Sequence, residues 1–442
     1  MNFLDASSVL LTLAALFAYV NHRFIKLPTA IGIMLIGLFF SILCILLGDY
    51  LPVVSQAADH FVEGIDFDTA LMQGMLSYLL FAGALHVNIN DLKDQKRLVA
   101  LLASFGVVLS TFLVGGIFYF LFPLFNYQIP FIWCLVFGSI VSPTDPVAVL
   151  GILKSAKAPK SLETKITGES LFNDGVGVVV YIALLGLATS AGEPIVDAHD
   201  AHAAHDAHGG HGDSGAFGIA KLFLLEAGGG ILWGAALGFA GYFLLRTIDN
   251  YQVEVLITLA LVTGGYRAAS AMHISGPLAM VIAGLMIGNH GRLLAMSDTT
   301  RMHLDKFWEL LDEILNAVLF LLIGLELFVL ELSSPAITAG LVAIFIGLSA
   351  RFLAVWLPVN LLKRKRSFSP GVIRILTWGG IRGGISVALA LGLPKESEYR
   401  DLFLVMTYVV VIFSISVQGL TLGPLVRKLV KSEDTPEPDA SH

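Results

Sequence analysis

Long runs of apolar residues, separated by short polar connections, cover this sequence from residue 5 to residue 426. A helix needs roughly 20 apolar residues to cross the hydrocarbon core of a bilayer. A membrane β-barrel would instead show shorter segments of alternating polarity. We therefore expect an all-α polytopic membrane protein with about thirteen transmembrane helices, at 5–22, 28–48, 69–87, 98–122, 131–152, 166–190, 217–246, 252–271, 276–290, 308–330, 335–362, 370–393 and 400–426.

Two of these segments carry helix-breaking residues near their middle. The fifth reads VFGSIVSPTDPVAVLGIL, and its Pro143 and Pro146 flank Thr144 and Asp145. The twelfth reads LTWGGIRGGISVALAL, and four glycines surround Arg382. Proline removes a helix hydrogen bond, and glycine disfavours a continuous helix. Interrupted helices in corresponding positions of two inverted repeats indicate the substrate site of a transporter, so we expect two crossed discontinuous helices.

The composition agrees with a chain embedded in lipid. Hydrophobic residues make up 56% of the chain and charged residues 14%, whereas soluble domains carry about 25% charged residues. Asp5 lies in the first apolar segment and no basic residue precedes it, which favours a first membrane helix over a signal peptide. The sequence has no phosphate-cradling G-x-x-x-x-G-K-[ST] motif and no basic patch with interleaved aromatic residues. An ATP-driven pump and a nucleic-acid partner are therefore disfavoured.

The basic residues are distributed unevenly between the two sides of this topology. If the N-terminus lies outside and thirteen helices follow, Arg351 and Arg382 fall within segments and nearly all other basic residues fall inside. Of the 27 Lys and Arg residues, the outside connections receive only Lys221, Arg267, Lys395 and Arg400. Basic residues favour the cytoplasmic side of a membrane. We expect a multi-pass protein of the cell (inner) membrane, with a disordered cytoplasmic tail at 431–442.

Ionisable side chains within membrane segments are costly and are functional candidates by default. In this chain they are Asp145, Glu169, Asp174, Arg351 and Arg382, with Glu326 near a helix end. In the stretch GESLFNDGVGVVVY, Glu169 and Asn173 are four residues apart and share one helical face. Ser170 and Asp174 share a second face in the same way.

These charges suggest a division of roles. Arg351 is the natural partner for one buried carboxylate, because its guanidinium is permanently charged and forks onto carboxylates. Asp174, Ser170 and the opened backbone at 144–145 offer the oxygen ligands that a small hard cation such as Na⁺ prefers. Without a cation, a desolvated Asp174 takes up a proton instead. One site that holds either Na⁺ or H⁺ is a coupling device.

Other interpretations of the same residues stay open. Asp145, together with Thr144, can simply cap the second half of its broken helix. Glu169 and Arg351 can form a purely structural pair. Arg382 is expected to compensate the exposed helix ends of the broken twelfth segment.

The connection 191–216 is rich in histidine and is predicted to lie outside. Its histidines recur every third residue, at His199, His202, His205, His208 and His211. Such a tract can bind Zn²⁺, Ni²⁺ or Cu²⁺. It can also act as a pH-sensitive element, because histidine side chains change charge at about pH 6.5. A solvated low-complexity loop is the simpler interpretation of this tract.

Several motifs resemble, in order, the sodium/proton exchangers of the first cation/proton antiporter family, prokaryotic branch. They are SPTDPVAV at 142–149, GESLFNDGVGVVV at 168–180, LFLLIGLEL at 319–327, SARFL at 349–353 and GGIRGGISVALAL at 379–391. The resemblance implies exchange of cytosolic Na⁺, Li⁺ or sometimes K⁺ for external H⁺ by an elevator-like movement. These ions are the substrates, and no cofactor is implied.

The resemblance also implies a homodimer with a dimerisation scaffold and a moving core that carries the ion. We assign the scaffold to 1–96 and 217–330 and the core to 97–190 and 335–430. By motif position, Asp174 is the carrier of cation and proton, and Asn173 marks the Asn-Asp pair of the branch regarded as electroneutral. The residues that complete or border the cation site are Thr144, Asp145 and Ser170, and the ion pair is formed by Glu169 and Arg351.

The expected function is secondary antiport of Na⁺, Li⁺ or K⁺ against H⁺, not enzymatic catalysis. One carboxylate that carries one Na⁺ or one H⁺ implies electroneutral 1:1 exchange. A cation channel gated by pH or by a metal is an alternative, but the chain has no pore-loop sequence. A carrier for an organic anion is a further alternative, which the excess of intramembrane carboxylates disfavours.

Overall fold

The computed structural model describes residues 3–47, 75–156, 158–190, 216–291, 297–326, 333–363 and 371–431. Within these ranges all regular structure is helical, which confirms the predicted all-α class. The histidine tract from His199 to His211, the tail beyond Lys431 and the side chain of Glu326 lie outside the described residues.

The described α-helices follow the predicted segments. They are α1 (Phe3–Val20), α2 (Thr29–Leu47), α3 (Leu76–Leu85), α4 (Ile89–Leu101), α5 (Val107–Leu121), α6 (Phe131–Ile140), α7 (Pro146–Ser155), α8 (Lys160–Ser190), α9 (Ala216–Arg246), α10 (Tyr251–Ala271), α11 (Gly276–Met286), α12 (Asp298–Glu326), α13 (Ser334–Lys363), α14 (Val372–Trp378), α15 (Gly384–Leu391), α16 (Arg400–Phe413) and α17 (Gly419–Lys431). Short π-helical turns at Asn21–Ile25, Leu102–Gly106, Ile287–Gly291 and Ser414–Gln418 extend or join several of them.

Within the described ranges, seven helical stretches are long and apolar enough to cross a membrane unaided. They are Ser7–Ile25, Gln95–Phe125, Leu162–Thr189, Leu225–Arg246, Tyr251–Ala271, Ser334–Lys363 and Arg400–Leu429. Three shorter apolar helices, Thr29–Cys44, Leu76–Leu85 and Gly276–Asn289, and the two broken segments account for most of the rest of the predicted set. The total of thirteen crossings stays a prediction.

The surface of the helix bundle is the inverse of a soluble protein's surface. Large apolar side chains such as Phe120, Leu232 and Phe345 are exposed, whereas Glu169 and Arg382 are buried. Exposed apolar surface on this scale is typical of a membrane-facing protein. The polar chemistry therefore lies within the bundle.

Both predicted helix interruptions are present, and they meet. The fifth segment opens at 141–145 between α6 and α7, and the twelfth opens at 379–383 between α14 and α15. The backbone N–H of Asp145 donates to the Ile381 carbonyl over 2.8 Å. Pro146 occupies the first position of α7, where a helix leaves an N–H without an intrahelical partner in any case.

The apolar side chains form two packing clusters in the described part of the chain. One joins α3, α9, α10, α11 and the first half of α12, and Leu171 of α8 also belongs to it. The larger one joins α1, α2, α4 to α8, the second half of α12 and α13 to α17. Which of these helices move together during transport stays a prediction.

Candidate functional site

Thr144, in the first interruption, is held by two side chains of α8. Its hydroxyl shares a hydrogen bond with the Ser170 hydroxyl over 3.0 Å. The Asn173 amide donates to the Thr144 hydroxyl over 2.8 Å and accepts from the Thr144 N–H over 3.3 Å. All three side chains are buried. Asn173 therefore fixes the open backbone to α8 from two directions.

This arrangement differs from the predicted division of α8 into faces. The sequence grouped Ser170 with Asp174, and Glu169 with Asn173. In the structure Ser170 and Asn173 contact the same residue, because positions three apart are also neighbours on a helix. The position of the first interruption therefore decides which side chains of α8 contact it, and these are Ser170 and Asn173.

Asp174 follows Asn173 and has no hydrogen-bond partner in the described part of the chain. Its side chain is 3% exposed, and no described residue donates a hydrogen bond to its carboxylate; Oδ1 is completely buried. The carboxylates of Asp145 and Glu169 are close enough to repel it. A buried carboxylate in this situation requires a cation or a proton.

Asp145 projects from the first interruption toward the second. A Cβ atom at position 383 would overlap the Asp145 side chain, so only glycine fits opposite this carboxylate. Asp145 is 8% exposed. The glycine content of the twelfth segment thus allows two interrupted backbones to approach each other.

Glu169 and Arg351 form a buried ion pair. The Arg351 Nη1 contacts Glu169 Oε1, and Nη2 donates to Oε2 over 2.9 Å. Nε and Nη2 of Arg351 also donate to the Leu376 carbonyl, over 3.3 and 3.1 Å. Leu376 lies in the last turn of α14, where carbonyls lack intrahelical partners. The arginine therefore neutralises one carboxylate and caps one half-helix.

Arg382 also caps a broken helix, although not its own. Its Nη1 donates to the carbonyls of Ser142 and Pro143, with a distance of 2.8 Å to Pro143. The sequence alone predicts that this side chain compensates the helix ends of the twelfth segment. The two interruptions cross, so the guanidinium instead reaches the free carbonyls of the fifth segment.

The protein family described as "Sodium/hydrogen exchanger, transmembrane" matches residues 11–428 of this chain. The chain belongs to this family. It is 48% identical to the Na(+)/H(+) antiporter NhaP of Pseudomonas aeruginosa, over 99% of this chain and 100% of that protein. It is 34% identical to the Na(+)/H(+) antiporter NhaH of Halobacillus dabanensis, over 92% of this chain and 93% of that protein. The resemblance drawn from the motifs is confirmed.

The family fold is also present among solved structures. The sodium proton antiporter MjNhaP1 of Methanocaldococcus jannaschii, solved at pH 8, superposes with a TM-score of 0.72. The match covers 97% of this chain and 100% of that chain at 21% sequence identity. At this identity the likeness is one of fold, and it confirms the class of a multi-pass helical membrane protein.

The donors of the site suit a transported monovalent cation in this exchanger family. Within the described ranges, no group of three or more His, Cys, Asp and Glu side chains is placed to hold a metal ion. The site instead offers the Asp174 carboxylate, the Thr144 and Ser170 hydroxyls and open backbone nearby. Oxygen donors of this kind suit hard cations.

Sequence reasoning missed two polar groups around the interruptions. Gln418 accepts from the Ser414 hydroxyl over 2.5 Å and donates to the Trp378 carbonyl at the end of α14 over 3.0 Å. Gln418 and Ser414, together with Arg351 and Arg382, border a cavity of about 20 Å³, which has room for a single water. A glutamine within the apolar run ISVQG was the available signal for this cap.

The second missed residue is Asp312, in the first half of α12. It is half-buried, and its charge repels that of Asp145. Seven residues further along α12, Leu319 packs against Gly384 at the edge of the second interruption. Asp312 lies within the predicted segment 308–330 but was not among the candidate residues, and the packing of α12 on α15 brings this helix to the site.

Proposed function

We propose that this protein is a secondary antiporter that exchanges Na⁺, Li⁺ or K⁺ for H⁺ across the cell membrane. The observation that carries the proposal is the Asp174 carboxylate, which is buried without a hydrogen-bond donor among the described residues. It lies one helical turn from Ser170, whose hydroxyl bonds to Thr144 in the opened helix. Either a cation or a proton stabilises such a group, and the two exclude each other. Membership of the exchanger family and the named functions of its relatives support the same conclusion.

We propose Asp174 as the single carrier, with Asp145 as the next carboxylate to test. Arg351 already neutralises Glu169, and Arg382 binds carbonyls of the first interruption. One carboxylate that carries one Na⁺ outward or one H⁺ inward moves the same net charge in each direction. We therefore propose electroneutral 1:1 exchange.

Alternating access requires that the site reach each side of the membrane in turn. We propose an elevator-type movement of the helices around the crossed interruptions (97–190 and 335–430) against a dimeric scaffold (1–96 and 217–330). The N-terminus is proposed to lie outside and the C-terminus in the cytoplasm, from the distribution of basic residues. The purpose of the histidine tract is left open, since it lies outside the described residues.

Cation-driven collapse of a pH gradient in proteoliposomes tests this function. Adding Na⁺ or Li⁺ should collapse the gradient in the wild type and not in Asp174→Ala. The matched control is Asp401→Asn, because the Asp401 side chain is 83% exposed at the start of α16. Collapse that survives Asp174→Ala would move the carrier to another residue, with Asp145 the next to examine. A folded wild type without any cation-dependent collapse would refute antiport.

A further inference from the structure

A buried glutamine, Gln418, holds the end of the first half of the twelfth segment. Its side-chain amide donates to the carbonyl of Trp378, the last residue of α14, over 3.0 Å. The amide oxygen accepts from the Ser414 hydroxyl over 2.5 Å, which fixes the orientation of the amide. Gln418 and Ser414 are each 2% exposed. The contact is therefore an internal one, made beside the second interruption.

The helical turn that carries this amide is itself irregular. Ser414–Gln418 is a π-helical turn between α16 and α17, and the Gly419 N–H that follows it donates to the Ser414 carbonyl. A π-helical turn is wider than an α-helical one and is frequent at functional sites. Ser414 and Gln418 are the first and last residues of this turn. The irregular turn thus presents a pre-oriented amide to the end of α14.

The bond from Gln418 completes the end of α14. The carbonyls of the last four residues of a helix lack the usual intrahelical partners, and in α14 these are residues 375–378. Backbone N–H groups of the glycines that follow bind two of them, over 2.7 and 3.3 Å, and Arg351 binds a third. Gln418 binds the fourth. Without its amide the Trp378 carbonyl would lose this partner inside the bundle, which is costly.

A short run of backbone connects this bond to the proposed cation site. Ile381 comes three residues after Trp378, and its carbonyl accepts from the Asp145 N–H over 2.8 Å. Asp145 follows Thr144, whose hydroxyl accepts from the Asn173 amide over 2.8 Å. The place of the Trp378 carbonyl therefore bears on the place of the groups that border Asp174.

We propose that Gln418 is a positioning residue for cation binding. Its amide holds the second interruption from the side of α16 and α17, as the amide of Asn173 holds the first interruption from α8. Both side chains are neutral and can donate and accept at once. They fix open backbone without adding a charge beside the buried carboxylates. This inference rests on the antiport function proposed above.

The test compares the apparent KM for Na⁺ with the maximal rate of Na⁺-driven pH-gradient collapse in proteoliposomes at one fixed pH. Gln418→Met keeps the length of the side chain and removes the donor. Its apparent KM should rise about tenfold. Its maximal rate per folded protein should change less than about twofold, because Asp174 and its neighbours are unaltered.

Ser414→Ala is a milder variant, which decides the test if Gln418→Met does not fold. It leaves the amide in place but removes the hydroxyl that orients it. The apparent KM should rise by about threefold, in the same direction as in Gln418→Met. A loss of folded protein alone would lower the maximal rate and leave the KM unchanged, so the KM separates positioning from stability.

Thr421→Val is the matched control. The Thr421 hydroxyl accepts from the Trp378 indole N–H over 2.9 Å, so this substitution also removes a hydrogen bond between α14 and α17. It leaves the bond to the Trp378 carbonyl intact, and its KM should match that of the wild type.

Two results would overturn the role of Gln418 while leaving antiport in place. One is a wild-type KM in both Gln418→Met and Ser414→Ala. The other is a rise in Thr421→Val as large as that in Gln418→Met, which would indicate general loosening of α14 against α17. Failure of the antiport function itself would be seen differently, as absent exchange in the wild type, and would overturn both proposals.

Discussion

Three buried carboxylates lie close together at the crossed interruptions, and each has a different environment. Glu169 is bound by both ends of the Arg351 guanidinium. Asp145 faces the space left by Gly383. Asp174 has no hydrogen-bond donor among the described residues. Burial without a partner, and not the presence of a carboxylate as such, distinguishes the proposed carrier from its neighbours.

The Glu169–Arg351 pair allows a structural role to be separated from a transport role. Arg351→Gln leaves Glu169 buried and uncompensated, which should destabilise the protein by about 3–5 kcal/mol. Glu169→Gln/Arg351→Gln removes both charges, keeps a donor for the Leu376 carbonyl, and should recover most of this loss. Thermal unfolding in detergent measures the stability, and Na⁺-dependent exchange measures transport. A double variant that is stable but inactive would contradict a purely structural pair.

At the scale of elements, two broken helices supply each other's missing contacts. The Asp145 N–H bonds to Ile381, and Arg382 bonds to Ser142 and Pro143. Free carbonyls inside a membrane protein must be satisfied internally. Because the two interruptions cross, each satisfies free backbone groups of the other. Both helices can therefore stay interrupted beside α8 without a water molecule on every free carbonyl and N–H.

Gly383→Ala tests this close approach. The added Cβ would overlap the Asp145 side chain, so the interruptions would have to separate, and exchange should fall at least about tenfold. Gly186→Ala is the control, because a Cβ at that helical position meets no atom within 4 Å. Initial rates of Na⁺-driven pH-gradient collapse give the comparison. Equal rates for both variants would show that the contact is dispensable.

The sequence predicted the breaks well because proline and glycine act locally. Pro143, Pro146 and the glycines around Arg382 are visible in any reading of the chain. The partners of Arg382 were assigned to the wrong segment because they lie 239 and 240 residues away in the chain. Gln418 was missed for a similar reason, since a lone amide in an apolar run acquires its role only from the α14 terminus that it caps.

At the scale of the whole molecule, two features concern the membrane. The distribution of basic residues bears on the orientation of the chain, and the proposed single carrier bears on the charge moved in each cycle. The distribution of basic residues predicts that the C-terminus lies in the cytoplasm. A single carboxylate that alternates between Na⁺ and H⁺ gives exchange without net charge movement. In the proposed mechanism, the same site sets both the coupling and the response to membrane voltage.

Electroneutrality predicts that transport produces no sustained current. A Na⁺ concentration jump on proteoliposomes adsorbed to a solid-supported membrane should give no steady current, while the same vesicles collapse a pH gradient. If each cycle moved one charge, the driving force would change by about 2.3 kcal/mol per 100 mV, and current would flow. A sustained current would indicate unequal stoichiometry or a channel.

Competition between Na⁺ and H⁺ at Asp174 is tested most directly by counting the protons that Na⁺ displaces. Purified protein in weakly buffered detergent solution is titrated with Na⁺ across a range of pH, and the released protons are measured with a pH-sensitive dye. At the pH of maximal release, Asp174→Asn should release about one proton per chain fewer than the wild type, whereas Asp401→Asn should match the wild type. Equal release from the wild type and Asp174→Asn would contradict a shared carboxylate.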